Sequence, residues 1–183
     1  MNCTPLQDGF TIWFTGWSGA GKTTLAIEIE KALRKAGVPY VQRLDGDIVR
    51  EDLTRDLGFS KEDRDENIRR VTFVASLLSR NGVATVVSFI SPYREARDHA
   101  RASCNNFIEI YVRCSPDILI SRDVKGFYRK AINGEIQNFT GITDPYEEPL
   151  NPEIIIDTGT MSVEESRDAI ITYLREKNLI RSA

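Results

Sequence analysis

The chain has few of the features that would place it in a membrane or outside the cell. Its three cysteines, Cys3, Cys104 and Cys114, are an odd number without the spacing of a disulfide framework or a metal site. No apolar run approaches the ~20 residues that span a bilayer, and residues 1–9 lack the apolar segment of a secretory signal. We therefore expect a cytoplasmic protein with free thiols and no membrane partner.

Positive charge is also scarce. The chain has 24 Lys and Arg against 27 Asp and Glu, a net charge of −3, which argues against nucleic acid as its main partner. The single histidine, His99, lies in a charged stretch and is expected at the surface rather than in catalysis. With 183 residues and 41% hydrophobic content, we expect one globular domain spanning residues 1–183.

Short apolar runs alternate with amphipathic stretches along the chain. The runs predict strands at 10–15, 40–44, 84–90, 107–112 and 153–156. Helices are predicted at about 22–35 and 48–57, then from Ser60, from Ser91-Pro92, from Ser115-Pro116, and after a cap formed by Ser162 and Glu165. This alternation indicates an α/β fold: a three-layer sandwich with a central parallel five-stranded sheet and helices on both faces.

A phosphate-binding loop directly follows the first predicted strand. Residues 16–23, with the sequence GWSGAGKT, match the Walker A pattern between a strand and a helix. Backbone N–H groups of such a loop converge on phosphate oxygens, and the helix N-terminus adds positive potential. Lys22 is expected to reach the β- and γ-phosphates, and Thr23 to offer its hydroxyl to Mg²⁺. These features predict the P-loop NTPase fold and a bound nucleoside triphosphate.

The remaining motifs favour a small-molecule kinase over other P-loop classes. The only DxxG lies at Asp123–Gly126 after the fourth strand, NKxD is absent, and the third strand ends in Phe89-Ile90-Ser91 without a Walker B acid. Asp47, in Asp45-Gly46-Asp47, follows the second strand at the sheet edge where ligands bind. Its carboxylate could hold Mg²⁺ through water or accept a proton from an attacking hydroxyl.

Basic and aromatic residues downstream form a candidate acceptor site. Arg50 lies on the helix after the second strand, and Arg64 and Asn67 share a helix face beside a buried stripe. Because this face lies beside the stripe, we expect Arg64 to face a cleft, where arginine can bind phosphate or sulfate oxygens in bidentate fashion. Phe59 and Phe139 could stack on a planar base, although composition alone favours a core position for each.

Residues 126–152 break the regular alternation and are rich in glycine and proline. A long irregular segment in a compact domain is often a functional lid. Lys125 directly precedes it, Arg129 and Lys130 lie near its start, and the three could close over phosphates. We therefore expect a lid at about residues 122–152 within the single domain.

Taken in order, several motifs resemble those of the adenylyl-sulfate kinase family. They are TGWSGAGKTT, LDGDIVR, LGFSKEDRDENIRR, SFISPYREARD and a segment running from RDVKGFYRK to PLNPE, and they extend from about Gly9 to Glu153. The resemblance implies transfer of the ATP γ-phosphoryl group to the 3′-hydroxyl of adenylyl sulfate, giving 3′-phosphoadenylyl sulfate for sulfate assimilation. It also implies Mg²⁺ as cofactor, a homodimer, and a functional link to a separate ATP sulfurylase.

Position by position, the resemblance also implies roles for individual residues. The catalytic residues are Lys22, Asp47 and Ser91, with Thr23 and Asp47 serving the metal. The ATP-binding residues are Gly16, Trp17, Ser18, Gly19, Ala20, Gly21, Lys22, Thr23, Thr24 and Arg122, and residues 122–130 form a lid over ATP. The acceptor-binding residues are Asp47, Arg50, Phe59, Arg64, Asn67, Ile90, Ser91, Lys125, Asn138 and Phe139, with the two phenylalanines sandwiching the acceptor's adenine.

Three positions carry further expectations. Family descriptions assign a phosphoserine intermediate to Ser91, whereas its own sequence context predicts a helix N-cap, and in-line transfer needs no covalent step. Trp17 replaces a smaller aliphatic residue at a position that contributes backbone. Asn138 replaces glycine, and because asparagine tolerates left-handed geometry, we expect the acceptor loop to be preserved, with substrate affinity the property affected.

Two alternatives remain open at this stage. One is another small-molecule P-loop kinase, acting on a nucleoside monophosphate or a sugar acid. The other is an ATP-binding regulatory protein without catalysis, against which the presence of Lys22, Thr23 and Asp47 counts.

Overall fold

A computed structural model describes residues 9–123 and 126–181 and confirms the predicted α/β architecture. Five parallel strands form one sheet in the order β2-β3-β1-β4-β5. The strands are β1 (Phe10–Thr15), β2 (Val41–Asp45), β3 (Ala84–Ser88), β4 (Phe107–Arg113) and β5 (Ile154–Asp157). The helices are α1 (Lys22–Lys35), α2 (Gly46–Glu51), α3 (Lys61–Arg80), α4 (Arg94–Ser103), α5 (Pro116–Arg122), α6 (Phe127–Ile132) and α7 (Val163–Glu176).

The central strand β1 is buried along its whole length because helices cover both faces of the sheet. Phe10, Ile12 and Phe14 belong to the larger apolar core, which includes residues of α1 and α7. Trp13 points to the opposite face, where it joins a second core with α3. This arrangement follows from the two-residue alternation of side chains along a strand. It places the loop after β1 in the middle of one sheet edge.

Most predicted helix starts are confirmed by capping contacts. The Ser60 hydroxyl accepts a hydrogen bond from the Asp63 amide, and Ser115 caps α5 in the same way. Ser162 and Glu165 form a complete capping box at α7. His99 is exposed, as predicted, and no helix in the described ranges is long and apolar enough to cross a membrane.

The predicted N-cap at Ser91 is wrong. Helix α4 begins at Arg94, and its N-cap residue Tyr93 makes no side-chain capping bond. Ser91 has a left-handed φ of 46°, and its hydroxyl turns inward to accept a hydrogen bond from Trp13 Nε1. The helix is capped instead by Glu147, whose Oε2 accepts from the Arg94 amide at 2.8 Å.

The short helix after β2 also differs from the prediction of residues 48–57. Helix α2 spans Gly46–Glu51 because the Asp45 carboxylate accepts from the Asp47 amide and starts the helix two residues earlier. The helix ends at Glu51 because its C-cap residue, Asp52, has a φ of −135°, outside the helical range. The limits of all five strands agree with the predicted limits within two residues.

A buried ion pair fastens the segment 146–148, here called the strap, to the sheet. Arg97 and Glu109 are 2% and 6% exposed, and Arg97 Nε donates to Glu109 Oε1 at 2.7 Å. The same guanidinium donates to the carbonyls of Ser91 and Glu147, both at 2.6 Å. Arg97 thereby joins the end of β3, strand β4 and the strap at one point.

Candidate active site

The phosphate-binding loop, residues 16–23, has the backbone geometry that its glycines predict. Gly19 and Gly21 have φ values of 74° and 98°, in the left-handed region that side chains disfavour. At Gly16 an added Cβ would lie 2.3 Å from the Val112 carbonyl oxygen, so the backbone of β4 itself excludes any side chain there. The loop is thus shaped for close approach of its main chain to a phosphate.

Lys22 and Thr23, predicted to bind phosphate and metal, lie on the first turn of α1. Lys22 is 8% exposed, and its Nζ donates to the carbonyls of Gly16 and Trp17 at 2.9 and 2.7 Å. These contacts hold the ammonium inside the loop, within reach of a phosphate chain cradled there. Thr23 and Thr24 are exposed on the first turn of α1.

Thr158 connects Arg122 to the same loop. Nothing in the sequence pointed to Thr158. The guanidinium of Arg122 donates to the Thr158 carbonyl at 3.1 Å. The Thr158 hydroxyl donates to the Ala20 carbonyl at 3.0 Å. The predicted ATP-binding arginine is therefore adjacent to the loop, whereas no motif marked Thr158, which follows the last strand.

Asp47 lies at the same sheet edge as the phosphate-binding loop. In the register of the sheet, Asp45 aligns with Ser88 of β3, which in turn aligns with Phe14 of β1. Neighbouring strands are about 4.8 Å apart, so the ends of β1 and β2 are separated by roughly 10 Å. Asp47 is exposed, two residues beyond this line. Asp47 therefore lies near the phosphate-binding loop, at the carboxyl ends of the strands, where ligands bind in such folds.

The donor set at this edge suits Mg²⁺. Within the described residues, no cluster of three or more His, Cys, Asp or Glu side chains could hold a metal alone. Mg²⁺ commonly uses only one or two protein oxygens, together with substrate phosphates and water. One hydroxyl, from Thr23, and one carboxylate, from Asp47, match that requirement.

Two arginines and an exposed ring lie together on the predicted acceptor side. Phe59 is 57% exposed, and the guanidinium carbons of Arg50 and Arg64 lie 4.5 and 5.8 Å from its ring centroid. Burial lowers the pKa of both arginines, and the Arg64 charge further lowers the pKa of Arg50. A bound anion would offset both the burial and the mutual repulsion of these two cations, so the pair is a favourable anion site.

Arg64 also connects two segments that are far apart in sequence. Its Nε donates to the Phe59 carbonyl at 2.9 Å, and its Nη2 donates to the carbonyl of Asn138. Asp144 Oδ2 lies 3.8 Å from Arg64 Nε. Arg64 is 8% exposed and so does not lie on a solvated face, as expected, and its partners are largely backbone carbonyls.

The remaining predicted acceptor residues have distinct environments. Asn67 is 5% exposed, and its Oδ1 accepts no hydrogen bond within the part of the chain that the structure describes. Asn138 adopts a φ of 57°, which confirms its expected tolerance of left-handed geometry. Phe139 is buried and meets the Tyr128 ring edge-on at 5.0 Å. Lys125 lies outside the described residues.

Ile90 and Ser91 form the turn behind the phosphate-binding loop. The Ile90 carbonyl accepts from Thr15 Oγ1 at 2.7 Å and from the Gly16 amide at 3.4 Å. Ser91 is 1% exposed, and its Oγ lies 3.0 Å from Trp13 Nε1. This turn supports the loop from the inside.

Two tyrosines that the sequence did not single out complete the site. Tyr128 donates its hydroxyl to the Ser18 carbonyl at 2.7 Å, and burial raises its pKa. The Tyr146 hydroxyl lies 2.9 Å from Thr15 Oγ1, and burial raises the pKa of Tyr146 to about 12. Both hydroxyls therefore remain neutral hydrogen-bonding groups at physiological pH. Their only sequence signal was aromatic content within the irregular segment 126–152.

Comparisons with known proteins agree on one family. Residues 8–157 match the family model described as adenylylsulphate kinase. An adenylyl-sulfate kinase from Halothermothrix orenii is 60% identical over 174 residues, covering 95% of this chain and 94% of that protein. A probable bifunctional SAT/APS kinase from Sorangium cellulosum is 51% identical, covering 93% of this chain and 29% of that protein. The solved Mycobacterium tuberculosis APS kinase CysC, in complex with AMPPNP and APS, superposes with a TM-score of 0.87 at 40% identity, covering 92% of this chain and 98% of that one.

Proposed function

Because the chain belongs to the adenylylsulphate kinase family, we propose that it transfers the γ-phosphoryl group of ATP to the 3′-hydroxyl of adenylyl sulfate. The products are ADP and 3′-phosphoadenylyl sulfate. The observation that carries the proposal is the pairing of a phosphate-binding loop with a two-arginine site beside an exposed ring, at Phe59. An adenylyl sulfate has the two matching parts, an anionic phosphosulfate and a planar base.

Transfer requires the donor phosphate, the acceptor hydroxyl and a proton acceptor to meet at one sheet edge. Lys22 neutralises charge on the β- and γ-phosphates as the bond from the γ-phosphorus to the leaving oxygen breaks. Asp47 accepts the 3′-hydroxyl proton as that oxygen forms its bond to the γ-phosphorus. ADP leaves with the electron pair of the broken bond. No covalent enzyme intermediate is required.

Mg²⁺ would be held by Thr23 and, through water, by Asp47. When bound, it would neutralise negative charge on the phosphates of ATP. Arg122, beside Thr158, would contact ATP at the opposite edge of the loop. Binding of the acceptor would use Arg50, Arg64 and Asn67 for the anion and ribose. Phe59 and Phe139 would hold the adenine, with Ile90, Ser91, Lys125 and Asn138 at further acceptor contacts.

Acceptor-dependent ADP release tests the proposed activity. Purified protein with ATP and Mg²⁺ should release ADP far faster when adenylyl sulfate is added than without it. The same protein should show no comparable stimulation by nucleoside monophosphates or sugar acids. Stimulation by one of those acceptors alone would instead indicate another small-molecule kinase. ATP binding without turnover on any acceptor would indicate a non-catalytic nucleotide-binding protein.

Ser91 is expected to support the site rather than carry phosphate. Its hydroxyl is buried against Trp13, so Ser91→Ala should keep at least about a tenth of wild-type kcat, since no covalent step is lost. The free energy of unfolding should fall by about 1–3 kcal/mol because the Trp13 N–H loses its buried acceptor. Steady-state turnover and urea unfolding measure the two effects. A kcat as low as that of Lys22→Ala, together with acid-stable labelling of wild-type protein by γ-labelled ATP, would instead support the phosphoserine intermediate.

We also propose a homodimer and a cytoplasmic location. Phe73 and Leu77 lie four residues apart on α3 and are 61% and 46% exposed, an apolar face suited to a second copy. Cys104 and Cys114 are buried free thiols, as expected in a reducing compartment, and Cys3 lies outside the described residues. We further propose a functional link to a separate ATP sulfurylase, and the joining of SAT and APS kinase in the name of the Sorangium relative supports a link between the two activities. Sedimentation of the wild type should show a dimer, and Phe73→Lys should weaken it. A wild type that sediments as a monomer would contradict the proposed dimer.

A further inference from the structure

Trp17 connects the phosphate-binding loop to the acceptor side of the site. Its indole packs directly on Gly141, where an added Cβ would lie 2.6 Å from Cε3 and Cζ3 of the ring. Gly141 also has a φ of 91°, so only glycine fits there without strain. The contact joins a large planar ring to a backbone, so losing it requires the indole to leave its rotamer or the backbone at Gly141 to move.

Gly141 belongs to a compact turn, residues 138–144, here called the acceptor loop. The Gly141 amide donates to the Asp144 carbonyl at 2.7 Å, and the Asp144 amide donates to the Phe139 carbonyl at 3.1 Å. The Phe139 amide in turn donates to Thr143 Oγ1 at 2.7 Å. These short-range bonds make the acceptor loop one unit. A displacement at Gly141 therefore moves Phe139 and the Asn138 carbonyl that Arg64 binds.

A second contact joins the same two loops next to the first. The Tyr128 hydroxyl binds the carbonyl of Ser18, the residue after Trp17. The Tyr128 ring meets the edge of Phe139. Consecutive residues of the phosphate-binding loop thus reach the acceptor loop by two routes. Of these, the Trp17 contact is the one that depends on a side chain of the phosphate-binding loop itself.

The main chain of Trp17 belongs to the phosphate-binding loop, whereas its side chain contacts the acceptor loop. Its carbonyl accepts from Lys22 Nζ and from the Ala20 amide, at 2.7 and 3.2 Å. Phosphate recognition in such a loop uses backbone N–H groups, which are common to every residue type. Changes in the indole should therefore affect the acceptor far more than ATP.

Resting on the proposed function, we propose that Trp17 is a positioning residue for the acceptor. Its indole supports Gly141 and thereby holds Phe139, Asn138 and Arg64 in the geometry that binds adenylyl sulfate. Trp17→Ala should raise KM for adenylyl sulfate about tenfold, within the range typical of coupling between neighbouring sites, while KM for ATP changes less than about twofold. Trp17→Phe, which keeps an aromatic ring, should recover most of the lost acceptor affinity.

A double-mutant cycle separates this contact from general damage to the fold. Gly141→Ala introduces both a clash with Trp17 and backbone strain, but the strain is present in either background and cancels in the cycle. We expect Gly141→Ala to raise KM for adenylyl sulfate at least about fivefold more in the wild type than in Trp17→Ala. Calorimetric binding of adenylyl sulfate with AMPPNP present, and thermal unfolding of each variant, check affinity and folding independently of turnover.

Each outcome of this experiment is decisive. If the wild type turns over adenylyl sulfate and the two substitutions are additive, Trp17 does not position the acceptor and the inference is wrong. An equal rise in KM for ATP would also overturn it, because the indole would then act on the whole phosphate-binding loop. If the wild type does not turn over adenylyl sulfate, the proposed function itself fails and the inference falls with it.

Discussion

Replacing Asp47 with asparagine should lower kcat for acceptor-dependent ADP release about 10²–10⁴-fold, the range for losing a general base. Asparagine keeps the size of the side chain but can neither take the hydroxyl proton nor contribute charge to Mg²⁺. The substitution spares the Asp47 amide, which donates to Asp45 Oδ1 and starts α2. The loss should therefore appear in turnover rather than in folding. Stopped assays of ADP release at saturating ATP and adenylyl sulfate measure it.

The matched control is Asp52→Asn at the end of the same helix. Asp52 is also an exposed aspartate, but it lies at the C-cap of α2, five residues beyond Asp47. Its substitution should change kcat less than about twofold, as expected for a surface position without a special contact. Calorimetry with ADP should show that both variants still bind nucleotide. An Asp47→Asn enzyme within tenfold of wild type would exclude Asp47 as the essential base.

Replacing Arg97 with methionine should lower the free energy of unfolding by about 3–5 kcal/mol, because removing one member of a buried ion pair leaves an uncompensated charge. Methionine fills much of the same space but leaves Glu109 without its closest partner and two carbonyls without a donor. Arg101 still contacts Glu109 at 3.2 Å, which favours the lower end of that range. Urea unfolding at neutral pH measures the change.

Arg113→Met provides the comparison at an exposed ion pair. Arg113 binds Asp157 at 3.0 Å with about half of its side chain exposed (53%), and such pairs contribute less than about 1 kcal/mol. The double variant Arg97→Met with Glu109→Gln should lose less stability than the two single losses added, since both charges are then absent. A loss below about 1 kcal/mol for Arg97→Met would show that Arg101 alone compensates Glu109. The buried pair would then contribute little to holding the strap on the sheet.

Local signals account for what the sequence predicted well. The limits of β1 and α1 agree with prediction to the residue because an apolar strand, a glycine-rich turn and an amphipathic helix each have a short-range signature. Asp47 lies at the predicted sheet edge because parallel strands align their carboxyl ends. The buried position of Arg64 followed from its spacing on α3 relative to the apolar stripe.

Contacts between distant parts of the chain account for what it predicted poorly. Ser91 followed by proline is a sound local cap signal, yet Glu147, more than fifty residues away, caps α4 instead. The inward turn of Ser91 depends on Trp13 in another strand. Tyr128 binds the Ser18 carbonyl across an even longer separation of 110 residues. No pattern within a short window of sequence reports such partners.

The order of strands in the sheet has a consequence for synthesis on the ribosome. Strand β1 pairs only with β3 and β4, so Ile12 meets Val86 and Ile108, roughly seventy and one hundred residues later in the chain. Synthesis adds about 5–20 residues per second, so several seconds pass between the synthesis of β1 and that of β3, its first neighbour in the sheet. Until then its phenylalanines and tryptophan lack their partners in the sheet, and apolar surface exposed at this stage favours aggregation of the nascent chain.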